Sequence, residues 1–104
     1  MMVIKIDIDA SKFKDKETTS AYLSEIFNFP EYFVNNLDAA FDLLMEVDED
    51  TLLYFTRECL IEMASEDYSY KALRMLVEAC FNNPHLKFKL RKIRNEGNPK
   101  ENVG

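Results

Sequence analysis

Thr51-Leu52-Leu53-Tyr54-Phe55-Thr56 organises the reading of the whole chain. This run of β-branched, aromatic and leucine side chains reads as a strand, and the segments on both sides of it read as helices. Upstream, Leu37, Ala40, Phe41 and Leu44 recur at i, i+3, i+4 and i+7, the apolar row of an amphipathic helix, with Asn35 or Asn36 in front to cap it. The acidic stretch from Glu46 to Asp50 between them reads as a loop. Downstream, Leu60, Ile61 and Ala64 form a short helical patch. A longer helix from about Tyr70 turns Ala72, Leu73, Leu76, Val77 and Cys80 inward and stops at Asn82-Asn83-Pro84.

Further out, Val3 to Ile8 alternates, with Ile4, Ile6 and Ile8 on one face and Val3, Lys5 and Asp7 on the other, a half-buried strand. From Asp15 to Phe27 the spacing is helical, with Thr19, Leu23, Ile26 and Phe27 on one side. Phe29-Pro30 is the expected stop, because the residue before a proline is pushed out of the helical region. Near the other end Leu86, Phe88 and Leu90 alternate with Lys87, Lys89 and Arg91, a third strand with one basic, solvated face. The order is β-α-α-β-α-α-β, and helices between successive strands favour parallel pairing through crossovers. Parallel strands covered on both faces read as continuous apolar runs, whereas the first and third strands here alternate. An α/β fold in two layers, helices on one sheet face and water on the other, satisfies both observations. Residues 1–94 form the single expected domain, and the polar segment 95–104 is an expected disordered tail.

The chain has 104 residues, 47% hydrophobic and 31% charged, with 2 Gly and 3 Pro, which suits one small core rather than a linker. No apolar run approaches the ~18 residues of a membrane-spanning helix, and the alternating N-terminus lacks the apolar block of a signal peptide. Cys59 and Cys80 stand alone, as expected in a reducing compartment, so the expected location is cytoplasmic. The net charge of -6 is unevenly spread: residues 1–16 carry +1, residues 17–70 carry -12 with Arg57 the sole base, and residues 71–104 carry +5. The acidic middle repels nucleic acid and attracts a basic partner, although acidity also serves plain solubility.

Catalytic material is sparse. His85, the only histidine, follows Pro84 at a turn and has no neighbouring Cys or second His to complete a ligand set, so it reads as a surface turn residue. There is no phosphate-cradling glycine loop or nucleophile elbow. The unusual feature is the acidic row Asp38, Asp42 and Glu46 at i, i+4 and i+8 beside the apolar row. Like charges at that spacing destabilise a helix by ~0.2–0.5 kcal/mol per pair. The helix dipole compensates Asp38 but not Asp42 or Glu46. The row reads either as a solvated face or as a surface for a cationic partner, and the pattern alone leaves both open. A Mg²⁺ or Ca²⁺ site would need the oxygen-rich turn that is missing here.

At this helix the sequence resembles a known family. Pro30-Glu31-Tyr32-Phe33-Val34-Asn35-Asn36-Leu37-Asp38-Ala39-Ala40-Phe41-Asp42-Leu43-Leu44 is similar to the signature of the barstar family, intracellular inhibitors of secreted ribonucleases such as barnase. The similarity runs collinearly from the strand at Val3 to the strand ending near Ile93. It implies a three-stranded parallel sheet ordered 1-2-3 packed by helices. It also implies an inhibitory surface made of the second helix, the loop before it and part of the last long helix. By position, Tyr32 matches a tyrosine that packs against the nuclease's catalytic histidine, and Asp38 an aspartate that pairs with a nuclease arginine. Asp42 matches the aspartate that enters the phosphate pocket, and Glu78 a glutamate that adds a peripheral ion pair. Val34, Asn36, Phe41, Glu46 and Met75 complete the implied partner-binding set.

Val34 stands where the family has Gly, Phe41 where it has Trp, and Glu46-Val47 where it has Gly-Trp, which points to a cognate nuclease other than barnase. The leading expectation is a cytoplasmic, monomeric immunity protein of the toxin–antitoxin kind, without cofactor or metal. It would bind a basic ribonuclease stoichiometrically and have no catalysis of its own. The alternative is an immunity or regulatory module for a toxin or basic protein of different chemistry. An enzyme using Asp38 and Asp42 is disfavoured, because no acid and base in opposed environments are visible.

Overall fold

The computed structural model describes residues 2–30 and 36–92. The elements run β1 (Ile4–Asp7), a short 3-10 helix (Ala10–Phe13), α1 (Lys16–Phe27), α2 (Leu37–Leu44), β2 (Thr51–Thr56), α3 (Arg57–Ala64), α4 (Asp67–Asn82) and β3 (Leu86–Arg91). β2 lies between β1 and β3 and pairs parallel with both, with Ile4 and Leu86 each opposite Thr51. The α/β order and the sheet order 1-2-3 expected from the sequence are the ones the chain adopts. The expected tail, residues 95–104, lies outside the described residues.

The pleat assigns the two layers. Ile8, Leu53, Phe55 and Leu86 are buried on the helix side, against Leu23 of α1, Ala40 and Leu44 of α2, Met63 of α3 and Ala72, Leu76 and Ala79 of α4. Burying a residue such as Phe55 contributes about 1.5–3 kcal/mol. On the other face Lys5, Lys87 and Lys89 are exposed and Leu52 and Tyr54 half-buried. Arg91, expected to be solvated there, instead lays its guanidinium 3.6 Å over the Tyr54 ring, with Nη1 3.5 Å from Asp7 Oδ1. That oxygen accepts no hydrogen bond among the described residues, so the contact is an ion pair without a directed bond. The clasp nevertheless joins all three strands.

Local chemistry sets the helix ends. Asp15 caps α1, its Oδ1 accepting the Thr18 N–H at 2.8 Å, and this bond holds the carboxyl below its ordinary range. α1 ends at Phe27, the last residue of the expected helical span, but the stop is made by Asn28 before the proline is reached. Asn28 takes a left-handed conformation (φ 57°), and its N–H and that of Phe29 both donate to the Ser24 carbonyl. Thr56 ends β2 and also caps α3, its Oγ1 accepting the Cys59 N–H, so strand passes into helix without a loop. That junction sets α3's phase. Cys59 and Met63 face the core, while Ile61, named in the expected helical patch, is 62% exposed, and Ala64 is exposed as well.

α4 starts at Asp67, before the expected Tyr70, and no side chain caps it, which is why its start is faint in the sequence. Its buried row is Ser69, Ala72, Met75, Leu76 and Ala79, while Leu73, Val77 and Cys80 are half-buried along one flank. The Ser69 hydroxyl donates to the Met63 carbonyl at 2.7 Å and ties α4 to the end of α3. At β3 only Leu86 is buried. Phe88 is 40% and Leu90 65% exposed, because β3 is the outermost strand and the helix layer covers only its start.

Asn83, 4% exposed, joins three elements. Its Nδ2 donates to the carbonyls of Leu44 at 2.9 Å and Val47 at 3.0 Å, just past α2, and its Oδ1 accepts the His85 N–H at 2.9 Å. Replacing it with Ala removes three hydrogen bonds, each worth about 0.5–1.5 kcal/mol net. The Leu44 carbonyl keeps the Val47 N–H, while the Val47 carbonyl and the His85 amide lose the bond described. Asn83→Ala is therefore expected to lower unfolding stability by about 3 kcal/mol in urea titration. A loss under about 1 kcal/mol would contradict this role for the amide. The Asp15 cap has its own signature. The melting-temperature deficit of Asp15→Ala should be full at neutral pH and shrink as pH falls through the lowered carboxyl pKa, where the native cap protonates.

Candidate functional site

α2 has eight residues, below the length at which an isolated helix is stable, and is fixed from both ends. At its start Asn36 Oδ1 accepts the Ala39 N–H at 2.7 Å. At its end Asn83 holds the Leu44 carbonyl, and between them Ala40 and Leu44 are fully buried. Asp38 and Asp42 stand exposed on the outside of this anchored helix of about two turns. Among the described residues no Lys, Arg or His forms an ion pair with either of them or with Glu46.

α2 packs along α4, and a shallow groove of about 370 Å³ runs between them, lined by Leu37, Asp38 and Phe41 on one side and Lys71, Arg74, Met75 and Glu78 on the other. The fold thus brings together four of the residues named from the sequence: Asp38, Phe41, Met75 and Glu78. Met75 is 7% exposed and serves as floor rather than as a free contact. Asp42 lies on the same helix outside the groove lining. Asn36 is the exposed cap. Glu46 falls beyond the end of α2, so the acidic row breaks after Asp42. It lines a different cleft, of about 290 Å³, with Ile26, Phe29, Pro30, Leu43 and Val47. Tyr32 and Val34 lie outside the described residues.

Lys71 and Arg74 were not singled out from the sequence, because nothing in the acidic middle signals which distant segment faces it. The spacing of Lys71, Met75 and Glu78 at i, i+4 and i+7 was the available clue. Arg74 pairs with Glu78 at 3.7 Å and Lys71 with Asp67 at 3.6 Å along α4, and both pairs are largely exposed and therefore weak. Glu78 can leave Arg74 at small cost.

His85 is more than a bare turn residue. Its Nδ1 lies 3.0 Å from Asp50 Oδ1, and its carbonyl accepts the Thr51 N–H, which ties the acidic loop to the start of β3. Among the described residues no group of three His, Cys, Asp or Glu side chains could hold a metal ion, and no helix is long and apolar enough to cross a membrane. The cysteines are placed for packing. Cys59 is buried with its thiol toward the Ile8 carbonyl, and burial pushes the Cys80 thiol up to about 11.

A parallel three-stranded sheet with one helical layer, presenting two aspartates without an ion pair among the described residues on a short anchored helix, places the chain in a class of small two-layer α/β domains. The family described as Barstar (barnase inhibitor) matches residues 3–92, and the chain belongs to the barstar family. That family is one of protein inhibitors that bind ribonucleases, not of catalysts. No curated protein matches the chain significantly.

With a thiol pKa of about 11, roughly one Cys80 in a thousand is ionised at pH 8. Iodoacetamide should therefore label the native protein far more slowly than the urea-unfolded chain. Rapid labelling of Cys80 in the native state would contradict the burial described.

Proposed function

We propose that this chain is a stoichiometric inhibitor that binds a basic ribonuclease and blocks its active site with α2. The observation that carries the reading is the pair Asp38 and Asp42, exposed on a capped, core-anchored helix without a counter-charge among the described residues. A ribonuclease active site concentrates cations to stabilise a phosphoryl transition state. A carboxylate on a rigid helix can take the place of the phosphate oxygens through charge-assisted bonds. In this reading Asp42 enters the phosphate pocket and Asp38 pairs with a nuclease arginine. Phe41 and Glu78 contact the rim, and Tyr32, Val34 and Asn36 supply the contacts of the preceding loop. The protein acts as a cytoplasmic, monomeric immunity protein without cofactor.

Glu46 refines the choice of partner. An exposed carboxylate just past α2 calls for a basic residue opposite it, which supports a cognate nuclease different from barnase.

The deciding measurement is inhibition of the ribonuclease secreted by the source cell, titrated against this protein and its Asp42→Ala variant. The parent should inhibit at one-to-one stoichiometry. Asp42→Ala should lose about 2–5 kcal/mol of binding, a range drawn partly from complexes of this same family, because several cations are left buried without their partner. Its folding stability should be unchanged or slightly higher, since one like-charge pair is removed. Added salt should slow association more than it speeds dissociation. An Asp42→Ala variant as tight as the parent would sink the mechanism. Binding without ribonuclease inhibition would favour a partner of different chemistry.

A further inference from the structure

The ladder between β2 and β3 fixes which main-chain groups of β3 are free. Thr51 donates its N–H to the His85 carbonyl, and Thr51 stands opposite Leu86. In a parallel ladder continued from that bond, Lys87, Lys89 and Arg91 exchange their N–H and C=O groups with β2. The N–H and C=O of Phe88 and Leu90 then point to the open side of the sheet. Among the described residues no other strand pairs there.

The side chains along this edge are sorted by the same pleat. On the helix side Phe88 and Leu90 are exposed, and the 77% exposed Phe81 of α4 sets its ring edge-on to Phe88 at 6.0 Å, extending the apolar strip onto the helix. On the opposite side Lys87 and Lys89 are exposed, with Arg91 half-buried beside them. Lysines on an edge strand commonly guard against pairing. An uncovered strip of two aromatic rings and a leucine beside the free amides does the reverse, since exposed apolar patches mark interaction surfaces.

We infer that the open edge of β3 is a second docking surface, which accepts an extended protein segment alternating apolar with acidic residues as a fourth strand. Its apolar side chains cover Phe88, Leu90 and Phe81, its carboxylates face Lys87 and Lys89, and its main chain takes the free groups of Phe88 and Leu90. A second copy of this chain is a poor occupant, because β3 paired with β3 sets the lysines of one copy against those of the other. The surface is separate from the α2–α4 groove. Leu73, Val77 and Cys80 lie along one flank of α4 and Lys71, Met75 and Glu78 along the other, while Phe81 follows Arg74 and Glu78 towards the end of the helix, outside the groove lining.

The test uses the full-length protein and two capped eight-residue peptides, one alternating Val with Glu and one alternating Val with Lys. The Val/Glu peptide should slow amide hydrogen exchange at Phe88 and Leu90 at least tenfold, and the Val/Lys peptide should not. Lys87→Glu with Lys89→Glu should reverse that preference. Leu90→Pro removes the outward N–H and the leucine of the strip without removing a bond to β2, and should weaken Val/Glu binding at least tenfold with the fold retained. If that variant misfolds, the double lysine variant still decides. No protection by either peptide, or equal protection by both, overturns the inference. So does protection of these amides by a single-stranded oligonucleotide in place of the peptide, or by concentration-dependent dimerisation of the protein alone.

Discussion

One buried carboxamide sets the geometry on which the proposed binding surface depends. α2 is too short to persist alone, and its outward aspartates repel each other, so its conformation is imposed by its surroundings. Asn83 supplies the decisive contact, because it satisfies the Leu44 and Val47 carbonyls and the His85 amide with one side chain. Its own backbone closes the end of α4 through Ala79 and accepts the Leu86 N–H that begins β3. The direction of α2, the acidic loop after it and the start of the edge strand are fixed at one point. The aspartates can stand without an ion pair among the described residues because the stability of their helix comes from its buried side.

The fold also turns an uneven charge sequence into a spatial separation. The acidic middle of the chain supplies α2 and the loop after it, while the basic residues come from the two ends. β1 and β3 flank β2, so Lys5 from one end and Lys87 and Lys89 from the other share one sheet face. A protein of net charge -6 thereby carries a basic face behind an acidic one. A cationic partner approaching α2 and the loop after it, where residues 37–50 carry only carboxylates as charged groups, is favoured in oriented encounter.

Much of this was legible in the sequence, and what escaped has physical causes. Thr51–Thr56 read as a strand because its composition permits little else, and Asn36 and Leu37–Leu44 as a capped helix because cap and apolar row agree. α3 was legible as a helix but not in its phase. Leu60-Ile61 and Cys59-Met63 are both plausible inward rows, and the Thr56 cap with the direct strand-to-helix passage chooses between them. Asn28 ended α1 by a left-handed turn that many asparagines could make, so the proline drew attention instead. At the site, Asp38, Phe41, Met75 and Glu78 were named through the resemblance and do share the α2–α4 groove. Lys71 and Arg74 join it only through the packing of α2 on α4, a long-range fact of which the spacing of Lys71 with Met75 and Glu78 is the one local trace. The same is true of Asn83, whose partners lie 36 and 39 residues away.

The clasp of Arg91 on Tyr54 and Asp7 has a mechanical meaning. All three strands run in one direction, so tension applied at the start of β1 and at the end of β3 acts along the strands in opposite senses. It loads both hydrogen-bond ladders in shear, and the bonds must yield together rather than one at a time. Arg91, at the last residue of β3, grips the last residue of β1 across the central strand, at the site where that load enters from the C-terminal side. The sheet is thereby built to resist being pulled apart end to end, as a protein drawn into a threading protease would be, while its helix layer stays free to meet a partner.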